Sequence, residues 1–315
     1  MESSNRKFNE KVKKRERTLS SCKHRISNLM YLIPFIGRIL RFPQEYRYRH
    51  CILDYVINRS KQCKLDCVTV ESINWASRTF IASKDYINLT LKLTLIDLTI
   101  LKNELEGNIT PSLHWGRRFE YPYTIYRCIS NSRKKLVILD AGAGLNPLQI
   151  LLALSGHFIV SLDNDVKVLI RLSKILKDNS KLKIFPCLAD VFQLPFKENF
   201  FDCVICISVI EHILDYLNPK FDLRLSYAIL KTWLCELARV TKPGGRICVT
   251  LDIDLSKRRH LTLDEVAMLG KLIKHDIPPM PADIIVSNRI AFGELFAPQK
   301  TVIAIIMGKE GESCI

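Results

Sequence analysis

From Lys135 onward the sequence alternates between short apolar runs and segments with helical spacing, and this alternation restricts the possible folds more than any other feature. Strands are predicted at 136–139, 158–162, 182–187, 202–207 and 246–251, and helices at 147–154, at 166–176 and in a longer segment that ends near Val240. Parallel strands that are joined by crossover helices form a sheet covered by helices on both faces. We therefore predict an α/β fold with a doubly wound, mostly parallel sheet.

The rest of the chain extends this core at both ends. Two later apolar runs, 283–286 and 301–307, are predicted to form a closing antiparallel pair of strands, which brings the sheet to seven strands. Residues 42–108 contain few glycines or prolines and are predicted to be helical. The predicted divisions are a basic arm with a short apolar patch at 1–41, a helical N-terminal subdomain and connector at 42–134, a ligand-binding core at 135–255, and a helical cap with closing strands at 256–315.

The stretch LDAGAGLNP at 139–147 directly follows the first strand of the core. Gly142 and Gly144 can adopt positive φ angles and let the backbone approach a ligand closely. Pro147 suits the first turn of a helix, whose N-terminus can face a ligand. A dinucleotide-binding loop would have a third glycine near Asn146 and Pro147, so the loop has only part of that pattern.

Acidic residues follow the first three strands of the core in turn. After Asp140 in the glycine stretch, Asp163 follows the second strand and Asp190 the third. Ligands of such sheets bind at the carboxyl ends of the strands. Asp163 is placed to accept the hydroxyl groups of a ribose, and Asp190 can accept from the amine of adenine while Val191 packs on the base. Each residue alone has a structural explanation, such as capping a helix, but the ordered set favours a nucleoside site.

Together these motifs resemble those of the class I S-adenosylmethionine-dependent methyltransferases, and of the small-molecule branch in particular. The resemblance covers about residues 135–252 and implies a Rossmann-like sheet and S-adenosylmethionine as the cofactor, with no metal. The segments that carry it are 140–144, 160–163, 189–190, 194–196, 201–213 and 237–245.

The resemblance also implies a role for each matching residue. Asp140, Gly142 and Gly144 would hold the methionine end of the cofactor. The ribose would bind to Asp163 with Asn164 beside it, and the adenine to Asp190 and Val191. Ser208, a further cofactor-binding residue, would line the cofactor and substrate side together with Val209 and His212, and Arg118 and Tyr121 of the connector would form a lid.

The implied reaction is an in-line displacement that moves a methyl group to an O, N or C nucleophile of a small molecule, lipid or glycan. Aligning the reactants is the main task of such an enzyme. If the nucleophile carries a proton, His212 has a suitable ordinary pKa to accept it. An equally open interpretation makes His212 a residue at the start of a helix, paired with Glu211.

Three other functions compete with this prediction. An NAD-dependent oxidoreductase is disfavoured by Asp140 before the glycine turn and by the missing third glycine. An RNA-directed methyltransferase is disfavoured by the sequence Ser-Val-Ile-Glu-His at 208–212, where enzymes that methylate base amines carry Asn/Asp-Pro-Pro-aromatic. A non-catalytic protein that only binds the cofactor stays open.

Charge and cysteines bear on partners and location. Residues 1–64 contain sixteen Lys/Arg and five Asp/Glu, so most of the net charge of +15 lies there and could contact RNA or an anionic membrane surface. The apolar run 29–40 is too short to span a bilayer. The eleven cysteines are expected to be reduced in a cytoplasmic protein, which could also be peripheral to a membrane. Cys203 and Cys206 should point to opposite faces of a buried strand rather than bind zinc.

Overall fold

The computed structural model describes residues 49–97, 99, 116–129, 134–220, 222–255, 261–284, 286 and 300–310. The chain divides into two compact units, 1–55 and 56–315. In the first unit the described residues, 49–55, are helical, and the predicted basic arm at 1–41 lies outside the described residues. No helix in the described ranges is both long and apolar enough to cross a bilayer.

The second unit contains a seven-stranded sheet with helices before and between the strands. The strands are β1 (Val68–Trp75), β2 (Val137–Ala141), β3 (Phe158–Asp163), β4 (Ile184–Leu188), β5 (Phe201–Ile207), β6 (Thr241–Asp254) and β7 (Lys300–Lys309). The helices are α1 (56–62), α2 (Arg78–Ala82), α3 (Lys84–Ile96), α4 (Arg117–Thr124), α5 (Pro147–Leu154), α6 (Val166–Asp178), α7 (Ile210–Leu217), α8 (Leu223–Val240) and α9 (Leu263–Leu272). A π-helical turn, Ile125–Ile129, continues α4.

The strand order in the sheet is β1-β7-β6-β5-β2-β3-β4. Strands β6, β5, β2, β3 and β4 are parallel to one another, whereas β7 runs antiparallel to both β6 and β1. The order reverses beside β2, because the chain moves outward from β2 to β4 and then returns through β5 on the other side. This confirms the predicted fold class, and it places the residues after β2, β3, β4, β5 and β6 along one edge of the sheet.

The predicted core elements agree with the structure to within a few residues, except that β6 is longer than predicted. Helix α5 has the predicted bounds, and Pro147 stands in its first turn behind the N-cap Asn146. Helix α9 begins with a capping box in which Thr262 and Glu265 satisfy each other's backbone N–H groups. Such local signals define the ends of helices independently of the tertiary fold, which explains the agreement.

The prediction for the edge of the sheet was wrong. Ile284 makes only an isolated bridge to Ser77, so 283–286 does not form a strand in the described residues. The edge strand is β1, which pairs with β7 over 303–309 and lies inside the segment 42–108 that was predicted to be helical. β-branched residues stand at Val68, Thr69 and Val70, but strand formation depends on the neighbouring strand more than on local preference. The divisions at 41, 134 and 255 stay predictions.

The cysteines agree with expectation at most described positions. Cys203 and Cys206 are both buried in β5, where Cys203 lies against the thiol of Cys128 and Cys206 against the indole of Trp233. The described free thiols number eight, whereas Cys67 is disulfide-bonded. The expectation that all thiols are reduced is therefore wrong at Cys67.

Candidate functional site

The glycine loop after β2 is held by backbone hydrogen bonds to the neighbouring strand. The N–H groups of Gly142 and Ala143 both donate to the carbonyl oxygen of Leu162, at 2.8 and 2.9 Å. The N–H of Gly144 donates to Asp163 Oδ2 at 2.8 Å. The loop is therefore attached to the end of β3 by three successive bonds.

The two glycines are needed for different reasons. Both have positive φ, +75° at Gly142 and +60° at Gly144, a conformation that costs most other residues free energy. A Cβ at Gly142 would lie 2.6 Å from Val209 Cγ2, so this position also excludes a side chain by packing. A Cβ at Gly144 would meet nothing within 4 Å, so this glycine faces open space.

Asn146 explains how the loop works without a third glycine. Its side-chain oxygen accepts from the N–H of Gln149 at 3.0 Å and so caps α5, while its Nδ2 donates to Asp140 Oδ2 at 3.2 Å. An asparagine N-cap followed by proline is a favourable helix start. Asn146 thus links the helix N-terminus to the acid of the glycine stretch.

Asp140 is almost completely buried beneath the loop. Burial raises the pKa of its carboxyl group to about 7, and the negative charge of Asp163 raises it further, while the Asn146 hydrogen bond and the Arg117 charge act in the opposite direction. The carboxyl group is therefore balanced between its two protonation states near neutral pH. A cationic ligand group beside it would favour the ionised form.

Asp163 and Asp190 lie at the carboxyl ends of β3 and β4, and each bonds to nearby backbone. The two oxygens of Asp163 accept from the N–H groups of Gly144 and Asp165. The N-cap of α6 is Asp165, so Asp163 does not cap that helix. Asp190 accepts from the N–H of Phe192 at 2.9 Å. Both acids thus stabilise loops at the predicted edge of the sheet.

Helix α4 reaches this edge from the connector before β2. Its apolar side packs through Phe119 and Tyr123, whose rings stack with centroids 5.2 Å apart. The opposite side carries Arg117 and Tyr121, which lie over the glycine loop. Burial raises the pKa of Tyr121 above its ordinary value, so its phenol stays protonated and can donate a hydrogen bond.

A cavity of about 240 Å³ opens between α4 and the glycine loop. Among the predicted site residues, Asp140, Gly142, Gly144 and Ser208 line it. Tyr121 of the predicted lid does so as well, but Arg117 takes the place expected for Arg118. Asp163, Asn164, Asp190, Val191 and His212 are not among its described lining residues, which are Arg117, Tyr121, Asp140, Gly142, Ala143, Gly144, Leu145, Asn146, Ile207 and Ser208.

Three buried carboxyl groups lie on the other side of Ser208, and we call them the acid cluster: Glu120, Glu211 and Asp252. Ser208 has a positive φ of 49°, and its hydroxyl donates to Glu120 Oε1 at 2.5 Å. Ser208 Oγ lies 3.4 Å from Asp252 Oδ1. Ser208 thus has a left-handed backbone conformation and lies between the cavity and the buried acids. Residues with strained backbone conformations of this kind cluster at functional sites.

Two cations compensate part of this negative charge. Arg117 forms an ion pair with Glu120, which also accepts from Thr250 Oγ1 at 2.5 Å. Burial raises the pKa of Asp252 to about 6, with Glu120 acting in the same direction and with Arg117 and Lys300 opposing it. In the described ranges, no group of three or more His, Cys, Asp or Glu side chains is arranged to hold a metal ion.

Glu211 is the most deeply sequestered of these acids. It has no exposed surface, and burial together with the charge of Asp252 raises its pKa well above the ordinary range. Its Oε1 accepts from the N–H of Asp252 at 3.3 Å, and its Oε2 is buried without a hydrogen-bond partner in the described structure.

His212 lies on the exposed side of α7, next to Glu211 in sequence. Its pKa is lowered by partial burial and by the charges of Lys300 and Arg117, while Asp215 opposes this. A neutral imidazole could accept a proton, but it is not among the lining residues of the cavity. Its predicted role as a general base stays a prediction.

The sequence prediction missed Arg117, Glu120 and Asp252. Asp252 lies in β6, directly after the fifth predicted core strand at 246–251. Inspecting the residue that follows this predicted strand would have found it. Arg117 and Glu120 come from α4, and only the fold brings them to the same edge.

Comparisons with known proteins agree with this site. Residues 139–249, which contain the glycine loop, Asp163, Asp190 and Ser208, match a family described as "Methyltransferase domain". Residues 139–249 therefore form a domain of the class I S-adenosylmethionine-dependent methyltransferase type, and S-adenosylmethionine is the cofactor of that class.

Two curated relatives match part of this chain. An uncharacterized protein of Methanocaldococcus jannaschii is 31% identical over 120 residues, which cover 38% of this chain and 42% of that protein. The demethylmenaquinone methyltransferase of Corynebacterium glutamicum is 34% identical over 112 residues, 36% of this chain and 40% of the enzyme. The chain thus spans about two fifths of the length of the curated relatives it matches.

Among solved structures, the magnesium protoporphyrin IX methyltransferase from Synechocystis with bound S-adenosylmethionine is 14% identical, covers 71% of this chain and 98% of its own, and has a TM-score of 0.42. A protein from Pyrococcus horikoshii is 15% identical, covers 73% and 100%, and has a TM-score of 0.41. These values describe a loose likeness of fold, and the assignment rests on the sequence match.

Proposed function

We propose that this protein uses S-adenosylmethionine to methylate a small-molecule, lipid or glycan acceptor. One observation carries the proposal: the cavity beside the glycine loop is lined by a buried acid, Asp140, and by a guanidinium group, Arg117. These charges complement the ammonium and carboxylate groups of an amino acid. A methionine moiety would satisfy both at once.

The remaining parts of the cofactor fit the neighbouring strand ends. A carboxylate oxygen has two lone pairs, and each oxygen of Asp163 receives one backbone N–H. Asp163 can therefore accept ribose hydroxyl groups without releasing the glycine loop. Asp190, at the end of the next strand, extends the same edge toward the position proposed for adenine.

When bound, the cofactor would supply an electrophilic methyl group from its sulfonium sulfur, and the rest of the cofactor would leave as a neutral thioether. The protein's contribution is alignment and exclusion of water. Tyr121 and Arg117 cover the loop from above, and Ile207 and Ser208 form the adjoining wall. Holding two reactants in line converts a bimolecular encounter into an effectively unimolecular step.

An exposed apolar stripe on α3 favours a lipid among the proposed acceptors. Ile87, Leu91 and Leu95 repeat every four residues and are 46%, 62% and 61% exposed. Helix α3 packs against α4, which carries Arg117 and Tyr121. An apolar surface beside the helix that covers the cavity is suited to guide a lipid toward it.

Calorimetric titration of the full chain with S-adenosylhomocysteine tests the cofactor part of the proposal. We expect binding by the wild type and a loss of at least tenfold in affinity for Asp163→Ala. The analogue 5′-methylthioadenosine lacks the amino acid end and serves as the matched ligand. Arg117→Lys, which keeps a cation beside Glu120, should weaken binding of S-adenosylhomocysteine but not of 5′-methylthioadenosine.

The proposal fails if the wild type does not bind S-adenosylhomocysteine, or if Asp163→Ala binds it as well as the wild type does. The acceptor is tested separately by labelled methyl transfer to lipid, quinone, sugar and RNA fractions. Label in the lipid fraction would support the stripe on α3 as part of the acceptor path. Label only in RNA would favour the RNA-directed alternative.

The proposed location is cytoplasmic, with contact to RNA or an anionic membrane through the basic N-terminal arm. Both contacts rest on the charge of residues 1–64. Full-chain binding to RNA and to phosphatidylserine vesicles at low and high salt distinguishes them, because phosphate contacts weaken steeply with salt. Binding to neither would remove the proposed role of the arm.

A further inference from the structure

The acid cluster is more acidic and more deeply buried than cofactor binding requires. A buried carboxyl group without full compensation is costly, so several in one place call for an explanation. The charge of Glu120 is compensated by Arg117, and its carboxylate accepts hydrogen bonds from Ser208 and Thr250. Asp252 and Glu211 are not compensated in this way. The inference below concerns these two residues and rests on the proposed methyl transfer.

We propose that Asp252 accepts the proton of the acceptor's nucleophile during methyl transfer, and that Glu211 is a positioning residue for Asp252. Asp252 lies behind the cavity wall formed by Ser208, whose Oγ is 3.4 Å from Asp252 Oδ1. Asp252 is also the only member of the acid cluster with measurable exposure, 9% against 0% for Glu120 and Glu211. Asp252 is not itself among the described lining residues of the cavity, so Ser208 is the residue that separates it from the cavity.

The environment of Asp252 keeps it ionised but able to take a proton. The groups that face it are Glu120 and Arg117 from α4, Glu211 from α7, Lys300 from β7 and Ser208 after β5. Their combined effect, with burial first, leaves the Asp252 pKa at about 6. A base with a pKa slightly below the operating pH is mostly free to act and still binds a proton usefully.

Glu211 fixes Asp252 through the backbone. Its Oε1 accepts the Asp252 N–H at 3.3 Å, and burial together with the charge of Asp252 raises its pKa, which favours the neutral form of Glu211. Its Oε2 is buried and unpartnered beside Asp252 in the described structure. Because an unsatisfied buried polar group costs free energy, this oxygen points to a polar group that is supplied when the site fills.

The proposed step balances as follows. The bond between the methyl carbon and sulfur breaks as the bond between that carbon and the acceptor's O or N forms. The O–H or N–H bond of the acceptor breaks, and its proton passes to a carboxylate oxygen of Asp252. The sulfonium charge is neutralised as the thioether leaves. The proposed acceptor is therefore a protonated nucleophile, such as a hydroxyl or an amine, and not a thioether.

Sinefungin tests this placement without a known acceptor. It is an analogue of the cofactor in which an amine-bearing carbon replaces the sulfonium, so its ammonium group lies where the methyl group would be. A carboxylate facing that position should make wild-type protein bind sinefungin at least tenfold more tightly than S-adenosylhomocysteine at pH 7.5. Asp252→Asn should reduce this preference at least tenfold while binding S-adenosylhomocysteine within threefold of the wild type.

Two further measurements sharpen the test. The preference for sinefungin should fall as the pH decreases through about 6, where Asp252 becomes protonated. Asp215→Asn removes an acid from the same helix as Glu211 but outside the acid cluster, and it should leave the preference unchanged. Glu211→Gln keeps the neutral acceptor for the Asp252 N–H and should retain the preference as well.

The outcomes separate the two proposals. If S-adenosylhomocysteine binds and Asp252→Asn leaves the preference for sinefungin unchanged, the role of Asp252 is wrong while cofactor binding stands. If Glu211→Gln abolishes the preference as fully as Asp252→Asn does, the assignment of Glu211 as a neutral positioning residue is wrong. If the wild type binds neither ligand, the proposed function and this inference both fail.

Discussion

The glycine loop and the acid cluster lie at the same edge of the sheet, but they are built in opposite ways. In the loop, polar side chains bond to neighbours in sequence, as Asn146 does with the N–H of Gln149. In the acid cluster, Glu120 accepts from hydroxyl groups 88 and 130 residues further along the chain. The hydrogen bonds of the loop, including those to Leu162 and Asp163 of β3, therefore span at most twenty residues, whereas the cluster exists only in the complete fold.

This difference distinguishes residues that stabilise a loop from residues that could take part in a reaction. Local side-chain to backbone bonds satisfy groups that any loop must satisfy, so they need no functional explanation. Buried carboxyl groups that are brought together over long distances oppose folding unless each is paired. The acid cluster is thus a place where buried carboxyl groups lower the stability of the fold. In the loop, Asp140 is the one residue with a buried carboxyl group of this kind.

The largest expected effect follows from the ion pair in the acid cluster. Arg117→Met would leave Glu120 buried without its cation, and breaking such a pair from one side costs about 3–5 kcal/mol. We expect the free energy of unfolding, measured by urea denaturation, to fall by that order. The double variant with Glu120→Gln should recover part of the loss.

The matched control is a pair on the surface. Arg246 contacts Glu71 at 3.1 Å, with both side chains more than a third exposed. Arg246→Met should cost less than about 1 kcal/mol, as is usual for exposed pairs. Equal losses in the two variants would contradict the view that Glu120 is a sequestered charge.

The two glycines of the loop allow the next test. Gly142→Ala places a Cβ 2.6 Å from Val209 Cγ2 in addition to its positive φ, and overpacking alone costs about 1–3 kcal/mol. Gly144→Ala has the backbone strain without the clash, so it should lose less stability but more affinity for S-adenosylhomocysteine. Thermal denaturation and calorimetry measure the two effects.

Val209→Ala should partly restore the stability of Gly142→Ala, because it removes the side chain that the new methyl group meets. It should do nothing for Gly144→Ala. Equal stability of the two single variants would show that Val209 moves freely and that packing does not explain Gly142.

The contrast between the two regions also explains what the sequence could predict. The core strands, the start of α5 at Pro147 and the order of Asp140, Asp163 and Asp190 all depend on signals within short segments. These predictions agree with the structure because hydrophobic periodicity and capping act locally. The fold class and the position of the glycine loop could therefore be derived before any contact was known.

The features that sequence did not predict depend on distant partners. Strand β1 forms because β7 offers an open edge, although the two are separated by more than two hundred residues. Glu120 is buried only because α4 lies across the carboxyl end of the sheet. Whether Asp252 is exposed or buried likewise depends on α4, α7 and β7 together. No periodicity in one segment encodes such an arrangement.

The pH dependence of cofactor binding tests Asp140. Its raised pKa stabilises the free protein at low pH, and this contribution is lost as the pH rises from about 4 through about 7. An ammonium group beside it favours the ionised form, so binding should release a proton. Affinity for S-adenosylhomocysteine should rise by up to about tenfold per pH unit below pH 7 and level off above it.

Calorimetry in two buffers of different ionisation enthalpy measures the released proton directly. The control ligand is 5′-methylthioadenosine, which has no ammonium group, and its affinity should change little between pH 6 and 8. The same pH dependence for both ligands would show that Asp140 does not meet the amino acid end of the cofactor.

The smallest expected effect concerns Asn146, which caps α5 locally and also contacts the buried acid Asp140. Asn146→Ala removes the N-cap of α5, which should cost about 1 kcal/mol of unfolding free energy. It also removes the hydrogen bond that lowers the Asp140 pKa, so the pH dependence of cofactor binding should move upward. Asn146→Ser keeps a capping oxygen but loses the amide donor to Asp140. We expect it to restore the stability while keeping the altered pH dependence. If serine restores neither, the contribution of Asn146 to stability comes from the bonds that its amide donates to Asp140 and to the carbonyl oxygen of Ala143, and not from its capping oxygen.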